Sequence, residues 1–315
     1  MPDTPTQELR IDALTGAHVI VAPSRATRPG DAVRVDLVPR DPAPPTCPFC
    51  PGNESMTPPE VARLGRGAAD TPGWRVRIVP NLYPIVGAGV DGAHEVVIMS
   101  PSHTDDFGAL DDATAIDTMS ALRDRAHHHL ESGLVHAQPF VNHGRTAGAS
   151  IPHPHAQLVS LGVVPPRVDA LLERFASARR DLVAAAIDDA KDRSLLLGDG
   201  AGAAVSWCPP ASWSPFLVRC ALPEAGPRFD EADDAAIADS ALAVRDAIAR
   251  IQRVLGDLAY NLVVQSAPRD DRRPFHWWVD VIPRVTVLAG FELATGMFVN
   301  VVPAEVAAAA LGDGP

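Results

Sequence analysis

The sequence predicts an α+β protein built from two repeats of one order of elements, and two observations carry the prediction. Apolar runs of strand length alternate along the chain with stretches of helical periodicity. Past a glycine-rich break at residues 198–203, dividing residues 1–197 from 204–315, the same order recurs. Val205-Ser206-Trp207-Cys208 echoes Ile78-Val79-Pro80-Asn81, and the Phe216–Pro223 run echoes the strand from His94 to Pro101. Phe229-Asp230-Glu231-Ala232-Asp233-Asp234 echoes Phe107-Gly108-Ala109-Leu110-Asp111-Asp112, each opening a helix. Tyr260–Val264 matches the strand at Phe140, and His276–Pro283 matches a strand around His153 and His155. One such agreement arises easily by chance; a series in order does not.

The elements justify themselves in turn. Val19–Ala22 reads as a strand leading into a loop with Arg25 and Arg28, a pair that suits a solvated loop or a phosphate neighbourhood equally. Cys47-Pro48-Phe49-Cys50-Pro51-Gly52 is a tight turn presenting two thiols. Its flanks are proline-rich loops, not the strand and helix of a thioredoxin-like redox pair, so a metal is expected, with two further ligands elsewhere. Trp74–Val79 alternates as a half-buried strand and ends at Asn81; His94–Met99 is a strand running into Ser100-Pro101-Ser102-His103. Asp111 and Asp112 open a helix whose apolar face is Ile116, Met119, Leu122, Ala126 and Leu130. His127, His128 and His129 point about 100° apart on that helix and read as solvated. Phe140–Gly144, with Asn142, is a strand. One helix is expected from Pro165 through Ile187, and Ala289–Asn300 reads as an apolar, strand-like run. Glu292 within it needs a partner, either a salt bridge or a ligand hydroxyl.

Composition excludes several classes. The 315 residues, 46% of them hydrophobic, are those of a soluble globular chain of one large domain or two ordinary ones. No apolar run approaches the roughly 20 residues of a membrane span, and the N-terminus lacks a signal-peptide pattern, so a cytoplasmic location is expected. A net charge of −12 argues against a nucleic-acid surface. Four cysteines, two of them in the Cys-x-x-Cys turn, favour a metal or redox pair over a disulfide framework.

The chemistry concentrates in Gly148-Ala149-Ser150-Ile151-Pro152-His153-Pro154-His155-Ala156-Gln157-Leu158-Val159. Alternation along a strand puts His153, His155 and Gln157 on one face. The small residues before them make a turn where the amides of Gly148 and Ala149, with Ser150, can face an anion. A nucleophile, its orienter and anion-binding groups suit phosphoryl or nucleotidyl transfer. A His-x-His pair alone fits a structural or metal pair equally well.

His153-Pro154-His155-Ala156-Gln157-Leu158-Val159 resembles the histidine-triad pattern with Gln157 in place of the last histidine, as in the galactose-1-phosphate uridylyltransferase family. The resemblance covers nearly the whole chain and implies a tandem histidine-triad-like fold, each repeat an antiparallel sheet with packed helices. It implies His155 as nucleophile, forming a nucleotidyl-histidine, and Gln157 as donor to a phosphoryl oxygen. It makes His153 a metal ligand, closing a zinc site of Cys47, Cys50, His103 and His153. Arg25, Arg28, Asn81, Asn142, Gly148, Ala149, Ser150 and Glu292 are the implied substrate contacts. The second repeat, with Asp280 and Ile282 where some members carry a metal-binding His-x-His, is implied to be scaffold and sugar-phosphate recognition. The implied reaction is uridylyl transfer between UDP-glucose and a hexose 1-phosphate, by a homodimer. Adenylyl chemistry on ADP-glucose or a dinucleoside polyphosphate, with phosphate as acceptor, is the enzymatic rival. A non-catalytic nucleotide-binding zinc protein is the rival from another class.

Overall fold

Each of the two long helices begins at an aspartate that caps it: Asp111 accepts from Thr114 N at 2.7 Å and Asp233 from Ala236 N at 2.8 Å. The computed structural model describes residues 7–27, 33, 35–87, 89–198 and 203–312. The strands of the first half are β1 (Glu8–Ile11), β2 (His18–Val21), β3 (Ala62–Gly65), β4 (Trp74–Pro80), β5 (Gly92–Ile98), β6 (His136–His143) and β7 (His155–Leu161). Those that follow are β8 (Leu196–Leu197), β9 (Val205–Trp207), β10 (Val218–Ala221), β11 (Tyr260–Gln265), β12 (Trp278–Pro283) and β13 (Phe298–Asn300). The helices are α1 (Asp112–Glu131), α2 (Pro166–Ser177), α3 (Leu182–Asp192), α4 (Asp234–Leu255), α5 (Gly290–Thr295) and α6 (Ala304–Leu311).

The α+β fold and its two repeats are present, but the repeats share one sheet instead of forming one each. Ten strands run β3-β4-β5-β7-β6-β11-β12-β10-β9-β8, and the order reads alike outward from the β6–β11 pair. Register makes the symmetry explicit. An offset of 123 residues carries the cross-strand pair Val96·Gln157 onto Arg219·Asp280, and carries Phe140 onto Val263, its own partner across the seam. The small sheet β1-β2-β13 joins the ends of the chain, with Phe298 beside Val19 in parallel.

Alternation along the strands sorts side chains to two faces. Val97, Met99, Ala156 and Leu158 point into the main core with α1 and α4. Val96 and Ile98 point the other way, into a smaller cluster with Phe49 and Trp74. In the second half this opposite face is sealed. Phe175 of α2 stacks on Trp278 with ring centroids 5.9 Å apart, and Asp12 binds buried Arg219 at 2.8 Å. Arg219 also binds Asp280 at 2.9 Å.

Three expectations are corrected. The helix expected from Pro165 to Ile187 is two, because Asp181 accepts from Val183 N and Ala184 N and starts a new one after extended Ala178. His129 is buried, not solvated: its ring meets Glu95 Oε1 at 3.0 Å and Ser160 Oγ at 2.9 Å. Residues 290–295 are helical, not strand-like. Most of the glycine-rich break at 198–203 lies outside the described residues.

Two outcomes are expected. Arg219→Met leaves two carboxylates buried without their cation and should cost about 3–5 kcal/mol, read as a lower urea midpoint. His136, also buried, is pushed by burial down to about 4, below its unfolded value, so the unfolded chain binds the extra proton between those values. The stability this contributes is present above about pH 6.5 and is lost as pH falls toward 4. From pH 7 to 5, His136→Leu should lose about 2 kcal/mol less unfolding free energy than the parent.

Candidate active site

The Cys-x-x-Cys turn is anchored from both sides. Cys50 N donates to Cys47 O, and the Asn53 side chain donates to Cys47 O at 2.8 Å and Pro45 O at 2.9 Å. Buried Glu54 accepts from Gly52 N and from Trp74 Nε1, each at 2.9 Å. His103 comes from the turn after β5 and His153 from the residues just before β7. His153 therefore precedes the strand that begins at His155, a small correction to the expected strand. The four donors of Cys47, Cys50, His103 and His153 lie within 4.8 Å of one another. Cys50 Sγ is 3.4 Å from His103 Nδ1 and 3.5 Å from His153 Nδ1, and Cys47 Sγ is 3.7 Å from His153 Nδ1. A tetrahedral ion with bonds of about 2.3 Å to sulfur and about 2.0–2.1 Å to nitrogen sets such donors about 3.5 Å apart, so the set fits a metal. The state of the imidazole fits as well. His153 Nε2–H donates to Ser100 O at 2.9 Å, which turns the Nδ1 lone pair toward the sulfurs. Burial holds that ring down to about 4, hence neutral; it also pushes the Cys50 thiol up to about 11, a proton that a bound metal would have to displace.

Two residues on, His155 is buried and donates Nδ1–H to the His153 carbonyl at 2.9 Å. That bond fixes the tautomer and leaves the Nε2 lone pair available. Burial lowers the affinity of this ring for a proton. Phe49, from within the Cys-x-x-Cys turn, sets its ring against His155 at 5.2 Å between centroids. Gln157 is half-buried on the same face, with Oε1 3.0 Å from His94 Nε2. Asn142 accepts from Asn261 Nδ2 at 2.8 Å, and Asn261 also donates to Ala147 O. A neutral nucleophilic imidazole beside amide donors can attack an electrophilic phosphorus and bind its oxygens.

The turn before the strand corrects one expectation. Gly148 takes a left-handed φ of +97°, and its N–H donates to Arg145 O; Ala149 N–H donates to Gly144 O. Both amides are used inside the turn, so they do not face an anion here. Ser150 is exposed and lines a cavity of about 700 Å³ with His103, His143, Arg145 and Pro152. His155 and Gln157 lie beside this cavity's lining, not in it.

Other expected contacts are spread out. Asn81 lies with Nδ2 3.1 and 3.3 Å from the two ring nitrogens of His94. Arg25 sits in a short helical turn after β2, away from that cavity, and Arg28 lies outside the described residues. Glu292 is on α5, where its carboxylate accepts from Ala289 N at 3.0 Å. In the second repeat His276 is satisfied by Asp181 at 2.7 Å and Leu222 O at 2.9 Å.

Sequence reasoning missed a second cluster, buried Asp106 with His143 and Asp257, of which the last two line the cavity. His143 Nε2 lies 3.4 Å from Asp257 and 3.8 Å from Asp106, while Gln252 donates to Asp106 at 2.6 Å and Arg40 pairs with Asp257. Phe49 and His94 were missed too. The only signal for His94 was its even spacing from Val96 and Ile98 on one strand face.

Fold and site define an enzyme of the nucleotidyltransferase and phosphorylase class. In sequence and fold the chain is similar to the galactose-1-phosphate uridylyltransferase family of the histidine-triad superfamily. It is 29% identical to ADP-glucose phosphorylase of Arabidopsis thaliana across 95% of this chain and 91% of that protein. It is 32% identical to galactose-1-phosphate uridylyltransferase of Streptomyces lividans across 56% of this chain and 44% of that one. Among solved structures, the ADP-glucose phosphorylase from Arabidopsis thaliana with bound ADP-glucose superposes with a TM-score of 0.85 at 27% identity, covering 99% of each chain. No family model matches the chain.

Elemental analysis of protein purified without added metal should find one ion per chain in this cluster. Chelation, or Cys50→Ser, should lower the melting temperature by several degrees, since a structural metal contributes its binding energy to folding. A metal-free preparation with the parent melting temperature would contradict the assignment.

Proposed function

We propose that this protein transfers a nucleoside monophosphate from a nucleotide sugar to an acceptor phosphate through a covalent intermediate on His155. The observation that carries the reading is the Nδ1–H hydrogen bond to the His153 carbonyl, which leaves a buried, neutral imidazole with its Nε2 lone pair available. In the first step Nε2 bonds to the α-phosphorus while the bond from phosphorus to the bridging oxygen breaks, and the sugar 1-phosphate leaves with that electron pair. The Nδ1–H bond to the carbonyl stabilises the positive charge that the ring acquires. In the second step an oxygen of the acceptor phosphate attacks the same phosphorus, the P–N bond breaks, and the imidazole is restored. Gln157 donates to a phosphoryl oxygen in both steps. A neutral amide gives no proton to water, which suits an intermediate that waits for its acceptor. Asn142 and Ser150 are proposed to assist in binding.

The metal proposed for Cys47, Cys50, His103 and His153 is zinc, for which two thiolates and two imidazoles are a closed structural set. When bound it supplies rigidity: it holds His153, whose carbonyl orients the nucleophile.

ADP-glucose with inorganic phosphate as acceptor is the particular reaction we favour, supported by a likeness to ADP-glucose phosphorylase that spans nearly the full length of both chains. Uridylyl transfer from UDP-glucose to a hexose 1-phosphate is the second reading, supported by the partial match to a galactose-1-phosphate uridylyltransferase. On either reading the first repeat carries the chemistry and the second serves as scaffold and in sugar-phosphate recognition. A homodimer would cover the exposed side chains of Val287, Phe291 and Leu293 and could bring Glu292 to a sugar at the partner's site. Among the described residues no helix is long and apolar enough to cross a membrane.

Incubation with ADP-glucose and with UDP-glucose separately, followed by intact mass measurement, tests the reading: one should add a nucleoside monophosphate. His155→Asn should slow adduct formation by about 10⁴-fold or more while leaving nucleotide-sugar binding nearly intact. Gln157→His should still form the adduct but lose it faster to water. A normal adduct in His155→Asn, or turnover without any adduct in the parent, would leave a direct displacement instead.

A further inference from the structure

The two ends of a glutamine amide do opposite things to a phosphate. The NH₂ end donates to a phosphoryl oxygen, whereas the carbonyl end repels it. The ends have nearly the same shape, so packing alone does not choose between them. A neighbour of definite polarity must choose.

His94 meets that requirement. It lies on β5, where it pairs with Val159, while Gln157 pairs with Val96; the two side chains meet on the diagonal of one sheet face. The backbone N–H of Ile85 can only donate, and it points at His94 Nδ1 at 3.3 Å. Nδ1 is therefore the acceptor, and the ring proton sits on Nε2, 3.0 Å from Gln157 Oε1. The Asn81 amide also lies against the ring, its Nδ2 3.3 Å from Nδ1 and 3.1 Å from Nε2, and is held in place by Tyr83 N–H, which donates to its Oδ1 at 2.8 Å; touching both nitrogens, it does not by itself choose the tautomer, and the Ile85 N–H does. Burial holds the ring neutral, so its two nitrogens keep distinct roles.

We propose that His94 is a positioning residue: by donating to Gln157 Oε1 it fixes the amide so that Nε2 faces the phosphoryl group attacked by His155. This rests on the reading of His155 as nucleophile. His94 touches no reacting atom on this account. With His94 gone, the amide can turn its carbonyl toward the phosphoryl oxygens, replacing an attraction by a repulsion at the atom where charge accumulates.

The test is a double-mutant cycle on the full-length, metal-loaded protein, reading the single-turnover rate of adduct formation and the affinity for the nucleotide sugar. His94→Leu should slow adduct formation about tenfold, the order expected for one misdirected hydrogen bond, and change affinity by less than about twofold. In a Gln157→Ala background the same His94→Leu change should cost nothing further, because there is no amide left to orient. His94→Gln, whose side-chain N–H can stand where the ring Nε2–H stood, should recover most of the rate. Full-rate adduct formation in His94→Leu, or a loss that simply adds to that of Gln157→Ala, would overturn the proposal. Should His94→Leu lack a cooperative melt, His94→Asn, too short to reach Gln157, takes its place in the cycle with the same expectations. Absence of any adduct in the parent would instead overturn the function assigned to His155.

Discussion

One carbonyl oxygen, that of His153, joins the structural and the chemical parts of this site. Three groups of a single residue are committed at once. The ring Nδ1 faces two sulfurs, the ring Nε2–H is held by the Ser100 carbonyl, and the backbone carbonyl receives the proton of His155. A buried imidazole that must stay neutral and keep one tautomer needs an acceptor that cannot move. His153 is such an acceptor because it is pinned on both sides of its ring. The Cys-x-x-Cys turn then contributes twice, through its thiols and through Phe49, whose ring closes over His155. Disturbing the cluster therefore reaches His155 through one residue and one hydrogen bond, with no need for a change in the sheet.

The same sheet position is put to opposite uses in the two halves. Gln157 is half-buried beside Val96, which packs into the cluster of Phe49 and Trp74, whereas their counterparts Asp280 and Arg219 are buried together with Asp12. An uncovered Asp–Arg pair would need no further partner. Covered by α2 and the N-terminal strands, it needs a second carboxylate and close geometry to offset the loss of water. Trp278 occupies the position matching His155 and packs against Phe175 and Phe275. The face proposed to bind substrate in one half is the face that cements the other.

Features encoded locally were legible in the sequence. Asp111 and Asp233 start their helices as read, the Cys-x-x-Cys turn brings its two thiols together, and the repeated order of elements emerges as a mirrored strand order. What escaped depends on partners distant in the chain. His94 meets Gln157 only once β5 and β7 are in register, and a single sequence does not state register. His129 looked solvated because the sequence does not show that Glu95 and Ser160 lie across from it. The amides of Gly148 and Ala149 seemed free for an anion, but the turn folds back and uses them itself. At Glu292 the apolar pattern was too short to separate strand from helix.

The β6–β11 seam has a consequence for how the chain is made. As synthesis proceeds, β6 pairs with β7 soon after both emerge, but its other edge stays bare until β11 has been added much later. During that interval the nascent first half presents Phe140 and Val141 on an unpaired strand, the kind of edge to which a neighbouring nascent chain can add. Pro139, which has no N–H to offer, interrupts that edge near its middle. A residue with no visible part in chemistry thereby protects the half-made protein while its second half is still on the ribosome.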